Sequence, residues 1–188
     1  MRAFISLNLS EEKKQEVYGI QSNVKKLLDD RTVDSIKWEN RDKFHLTVFF
    51  LGDLSESMVR DISADLEKIN KEIDFSEMKF TSSGINAFPK LRYPKVLIVE
   101  LENPDGNVFH FYNKICEKLN KYGFKPDKKF HPHITLGRVR RDKKINLELL
   151  RNKIKINFNF TLSNFCLMES KLDSRGSVYK EIKRFTLG

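Results

Sequence analysis

Apolar and polar positions alternate from Arg2 to Leu7, a period of two that predicts a strand. Ser10-Glu11-Glu12 then opens a stretch in which Val17, Ile20, Val24, Leu27 and Leu28 recur at helical spacing, with the serine placed as an N-cap. After Asp29-Asp30 the chain reads as a short extended piece, Ile36-Lys37-Trp38, and then as a strand from Phe44 to Leu51, followed by a helix with Met58, Ile62, Leu66 and Ile69 along its buried face. Phe75 to Phe88 is extended. Ala87 to Pro94 is a basic, proline-bounded connector into the continuous apolar strand Val96 to Leu101. Asn103-Pro104-Asp105-Gly106 reads as a turn and helix start. Val108, Phe111, Tyr112, Ile115, Cys116 and Leu119 then follow with a period of 3.6 until Gly123. Another strand carries His133, a short helical segment surrounds Leu147 to Leu150, and two last strands cover Lys155 to Glu169 and Val178 to Thr186. They join through the turn Leu172-Asp173-Ser174-Arg175-Gly176.

A helix followed by a histidine-bearing strand thus occurs twice. The fold class expected is α+β and bilobal, with two pseudo-symmetric antiparallel sheets and outer helices around a central cleft, all within a single domain spanning 1–188. With 39% apolar residues in 188, the chain can bury one substantial core, and no linker is evident. Cys116 and Cys166 show no CxxC spacing, so neither a disulfide framework nor a zinc site is indicated. The short apolar run at the start is neither a signal peptide nor a membrane span, which gives the expectation of a soluble cytoplasmic protein without a membrane partner. The net charge of +9, from 35 basic and 26 acidic residues, favours an anionic partner with nucleic acid first, although lysines scattered along a chain also serve plain surface solvation.

The informative signal is a repeated tripeptide. His45-Leu46-Thr47 and His133-Ile134-Thr135 both lie in apolar runs that close on glycine, Gly52 and Gly137. In a strand, residues two apart share a face, so each segment sets a proton carrier beside a hydroxyl donor. Taken singly, each histidine is an ordinary half-buried strand residue and each threonine an ordinary β-former. Two copies suit in-line displacement at phosphorus, where the attacking and departing oxygens lie on opposite sides and each needs a proton handler. One imidazole must then be neutral and the other protonated, and sequence symmetry leaves open which is which. Thr47 and Thr135 become candidate donors to the non-bridging phosphate oxygens.

Around these motifs the chain is basic, with Lys125, Lys128 and Lys129 before the second and Arg138, Arg140, Arg141, Lys143 and Lys144 after it. Arg138, five residues after His133, would face away from it in an ideal strand; a bulge at Gly137 would turn it inward as a further phosphate ligand. Phe88, Tyr93 and Phe49 are available for base stacking, and core packing explains them equally well. His131-Pro132-His133 could be read as a metal pair, but no carboxylate or third ligand stands at a recognised spacing, so no metal and no cofactor is expected. His110, beside two aromatics in a helix, reads as structural.

These residues resemble the two-histidine phosphoesterase superfamily, and within it the bacterial and archaeal RNA 2′,3′-cyclic phosphodiesterases once described as 2′-5′ RNA ligases. The likeness runs almost end to end, through MRAFISLNLS, HLTVFFLG, FPKLRYPKVLIVEL, FHPHITLGR and LMESKLDSRGSVYKEIKRFTL. It departs little: Val48 and Leu136 stand at the fourth motif positions, both apolar. The resemblance implies metal-independent hydrolysis of an RNA 2′,3′-cyclic phosphate end to a 2′-phosphomonoester; a monomer is the expected state. His45 would be the proton donor to the leaving 3′ oxygen and His133 the acceptor from the attacking water. Rival readings are a 2′-5′ oligonucleotide phosphodiesterase or ligase of the same superfamily and a non-catalytic RNA-end-binding module.

Overall fold

The alternation at the start becomes β1 (Arg2–Asn8), and α1 (Glu11–Leu27) follows at once, capped by Ser10, whose hydroxyl accepts from the Lys13 amide. Glu11 and Glu12 in its first turn and Lys25 and Lys26 in its last complement the helix dipole. The order continues with α2 (Asp30–Asp34), β2 (Ile36–Trp38), β3 (His45–Asp53), α3 (Glu56–Glu67), β4 (Met78–Phe88), β5 (Val96–Glu102), α4 (Asn107–Asn120), β6 (His133–Val139), β7 (Asn159–Leu162), β8 (Asn164–Asp173) and β9 (Gly176–Thr186). This is a computed structural model, describing residues 1–126, 128–151, 153–174 and 176–188. Among them, no helix is long and apolar enough to cross a membrane.

Two elements differ from the sequence expectation. The extended piece Ile36-Lys37-Trp38 forms β2, but α2 before it has no counterpart in the sequence pattern: the Asp29 carboxylate accepts from both the amide and the hydroxyl of Thr32 and closes a turn too short to show a period. The short helical segment around Leu147 to Leu150 is present, as a single 3-10 turn, Glu148–Leu150. The strand expected over Lys155 to Glu169 is two strands that break at Ser163 and belong to different sheets. In the turn that joins β8 to β9, Arg175 lies outside the described residues.

Both sheets are antiparallel. One has the order β3-β1-β8-β9 and the other β2-β6-β5-β4-β7. With β2 set aside, the two orders correspond, each motif strand flanking the strand that precedes its helix in the chain. The correspondence is bilobal, but the helices are exchanged. Phe111 and Tyr112 of α4 pack at 4.8 Å and 6.5 Å on Phe165 of β8 and Phe49 of β3, in the first sheet. Gln21 of α1 donates at 2.9 Å to the Leu136 carbonyl of β6, in the second.

Ala3, Ile5 and Leu7 from β1 and Leu97, Val99 and Leu101 from β5 enter one continuous apolar cluster. A side chain the size of Phe111 or Phe165 contributes about 1.5–3 kcal/mol by such burial. The alternate positions lie on the other face of each sheet: Phe4, Ser6 and Asn8 from β1, and Val96, Ile98 and Glu100 from β5. The motif residues share that second face.

Candidate active site

His45 and His133 each open their strand, β3 and β6. β3 is the edge of the first sheet. β2 covers β6 from Gly137 to Val139, and β3 touches β6 across the two sheets, which brings the two motif histidines within electrostatic reach although they are far apart in sequence. The register sets His45 opposite Asn8 and Thr47 opposite Ser6, and His133 opposite Glu100 and Thr135 opposite Ile98. Both motif strands then slip by one residue. β3 gains a residue at Val48 relative to β1, and β6 gains one at Leu136 relative to β5. A bulge reverses the alternation beyond it. Arg138 therefore faces Val96 on the histidine side, as the glycine at 137 suggested.

The same device holds both imidazoles. His45 Nδ1 lies 2.7 Å from the Lys43 carbonyl and His133 Nδ1 lies 2.6 Å from the His131 carbonyl, in each case the residue two before. A carbonyl only accepts, so Nδ1 carries the proton in both rings and Nε2 is left for chemistry. His45 Nε2 is 2.9 Å from Thr47 Oγ1. No equivalent bond joins His133 to Thr135 among the described residues. Aromatic rings brace the imidazoles from the side: Phe4 and Tyr179 stand 5.2 Å and 5.3 Å from His45, and Phe88 stands 5.0 Å from His133.

Burial holds both imidazoles below their ordinary value, because an imidazolium loses its hydration there. The carbonyl bonds oppose this, and the positive charge of Arg138 adds to it at both rings. His133 also feels His131 and His45, so the two candidate imidazoles and Arg138 lie within electrostatic reach of one another. His131 is not free to join a metal pair in the way its spacing suggested. Its Nε2 lies 2.7 Å from a Glu100 carboxylate oxygen, and the other oxygen of Glu100 accepts from Asn86. The carboxylate missing from the local sequence thus arrives from β5. Among the described residues no three His, Cys, Asp or Glu side chains gather as metal ligands would.

Of the residues offered for stacking, Phe88 lies beside His133 and Tyr93 is exposed on the connector, but Phe49 is in the core. The slip at Val48 moves Phe50 to the motif face in its place, 68% exposed and opposite Phe4. Phe50 is the positional counterpart of Arg138, and only the bulge could have revealed it. Tyr179 and Phe4 were also missed. They reach His45 across strands whose pairing no local pattern discloses. Lys125, Lys128 and Lys129 are exposed on the approach to β6, and His110 is exposed on α4 against Phe75.

Residues 23–174 match the family model described as the 2′-5′ RNA ligase superfamily. The chain belongs to that superfamily. Similar members include a protein from Archaeoglobus fulgidus, 28% identical over 98% of this chain and 99% of its own length, and one from Thermotoga maritima, 31% identical over 74% and 71%. Both carry the name RNA 2′,3′-cyclic phosphodiesterase. Solved structures with the same fold include one from Thermus thermophilus, with a TM-score of 0.80 at 22% identity over 100% of this chain and 98% of that one. E. coli LigT complexed with 3′-AMP has a TM-score of 0.73 at 21% identity over 99% and 97%. At such identity these structures speak to the fold alone: a mixed α/β superfamily architecture with two antiparallel sheets.

Proposed function

We propose that the chain is an RNA 2′,3′-cyclic phosphodiesterase that opens a terminal cyclic phosphate to a 2′-phosphomonoester by general acid–base catalysis from His45 and His133, without a metal. The observation that carries this reading is the matched pair of imidazoles, each anchored through Nδ1 so that Nε2 is left over, on two strands that touch and close enough for one ring to feel the other's charge. Binding alone would call for arginine and lysine, not for two proton carriers held alike. The names carried by the superfamily relatives supply the substrate class.

In the scheme, His133 Nε2 takes a proton from water as the water oxygen bonds to phosphorus. The P–O3′ bond breaks on the opposite side, and His45, protonated at Nε2, gives its proton to O3′. Thr47, Thr135 and Arg138 meet the equatorial oxygens, where donors stabilise charge in a site partly shielded from water. The phosphate monoanion favours the imidazolium that burial disfavours, so the protonated His45 is restored when substrate is present. We take residues 1–188 as one domain with two lobes, because a single apolar core joins both sheets, and it acts as a cytoplasmic monomer on RNA ends.

The test is product identification with an oligoribonucleotide ending in a 2′,3′-cyclic phosphate. The expected product bears a 2′-phosphate and a free 3′-hydroxyl, and EDTA leaves the rate unchanged. His45→Ala and His133→Ala each cut kcat by about 10²–10⁴-fold, the usual worth of a positioned proton transfer, with unfolding temperatures near that of the parent. A 3′-phosphate product, retained turnover in both variants, or loss in chelator reversed by zinc would overturn the scheme.

A further inference from the structure

Beyond the reacting end, the second sheet borders a groove of about 1140 Å³. It runs between the connector that leads into β5 and the segment that leaves β6. Arg92, Tyr93, Lys95, Arg138, Arg141 and Lys144 line it, and its lining contains no carboxylate. Arg138 and Val96, which pair across β6 and β5, both line it. Val96 is four residues along β5 from Glu100, the partner of His133, or about 13 Å at a strand rise of 3.3 Å. Arg138 therefore belongs both to the histidine face and to the groove.

The chemistry of the lining is that of a polyanion track. Many other basic residues of the chain are paired, as Lys13 is with Glu16, Lys68 with Asp65 and Lys183 with Glu67. Among the described residues, Arg92, Lys95, Arg138, Arg141 and Lys144 form no ion pair, so a run of uncompensated positive charge begins at the candidate phosphate site. Tyr93 is 59% exposed, and its ring carries Lys90 Nζ at 5.4 Å and Arg92 Cζ at 5.5 Å from the centroid. A flat exposed ring among cations suits an unstacked base flanked by phosphates. The volume also exceeds the roughly 300–1,000 Å³ of a small-ligand pocket, which favours a polymer.

We propose that this groove binds the single-stranded RNA segment 5′ to the reacting end, with Tyr93 stacking a base and Arg92, Arg141 and Lys144 holding phosphates. This rests on the phosphodiesterase reading of the cleft. The enzyme then selects for length: a cyclic-phosphate end on a single-stranded tail is a better substrate than the same end on a dinucleotide.

The experiment compares kcat/KM for a dinucleotide and an octanucleotide, both ending in a 2′,3′-cyclic phosphate. Fluorescence anisotropy of a labelled octanucleotide with a plain 3′-hydroxyl end runs in parallel. The octanucleotide is expected to be favoured by about tenfold or more at low salt, an advantage that declines as salt rises because each engaged phosphate adds about 0.7 to the log–log slope. The triple variant Arg92→Ala/Arg141→Ala/Lys144→Ala brings the ratio close to one and weakens octanucleotide binding, and Tyr93→Ala costs about 5-fold or more in affinity. Equal handling of the two lengths by the parent protein, or a ratio untouched by the triple variant, overturns the groove while turnover stands. If neither substrate is turned over, it is the phosphodiesterase reading that fails. Anisotropy then decides the groove: binding that the triple variant weakens supports it, and binding that it leaves unchanged overturns it.

Discussion

At the scale of single residues, the two imidazoles share an anchor and a burden. The Nδ1–H bond to the carbonyl two residues back fixes the tautomer, while burial and the charge of Arg138 depress both protonations. The free protein therefore holds both rings neutral at pH 7. The active form, with one ring charged, is richest between two apparent values that belong to the pair and lie under the ordinary 6.5. The kcat/KM profile is expected to be a bell centred on the acid side of 6.5. Arg138→Gln removes a cation that opposes imidazolium at both sites, so both limbs move to higher pH while KM rises. Rate profiles taken from about pH 4.5 to 9 read this directly, and a bell that stays in place in the variant would show that Arg138 does not act on the rings. The histidines, the threonines and the inward turn of Arg138 were legible because a repeated motif and a glycine are local signals. Phe50, Tyr179 and Glu100 were not, since each reaches the site through strand pairing.

Elements carry the next set of consequences. Gly137 lies where β6 passes β2, and a Cβ there would sit 2.7 Å from Ile36 Cγ2, 3.1 Å from the Lys37 carbonyl oxygen and 3.3 Å from Trp38 Cα. Two of those three are backbone atoms and cannot yield cheaply. Gly137→Ala is expected to cost about 1–3 kcal/mol of stability, as overpacking does, and to lower turnover because Arg138 moves with its strand. Thermal unfolding and kcat measured together check both parts. Asp65 ties α3 to the end of α4. Hydrogen bonds from Lys121 and then Tyr122 hold its carboxyl well below the usual carboxylate range, with Lys68 at 2.9 Å assisting. Such a depressed group stabilises the fold above its unfolded value near 3.9 and loses that contribution as pH falls toward the folded one. Asp65→Asn should cost about 1 kcal/mol at pH 7, modest because both lysines remain in water, and about 2–4 °C in Tm. Melts at falling pH should show the gap to the parent closing below about pH 4. The long helices were readable from their 3.6 period, and α1 also from its serine cap. α2 was too short to have a period, and the break at Ser163 lies inside a run whose hydrophobicity does not change when its partner strand does.

For the whole molecule, the bilobal correspondence of sheet orders was legible in the repeat of helix and motif strand, whereas the net charge favoured an anionic partner without showing where on the surface one would bind. What composition could not show is that the halves are interlaced. α4 lies against Phe49 and Phe165 of the opposite sheet, and β8 and β9 return after Ser163 to complete the sheet that β1 began. A cut in the connector between Phe88 and Val96 would therefore not release two finished pieces. The leading fragment would lack half of its first sheet and the helix behind it, and the trailing one would lack β4, on whose edge β7 is laid. The spacing between the imidazoles is kept by the lacing of the backbone, so neither ring can drift from the other unless the chain first comes undone.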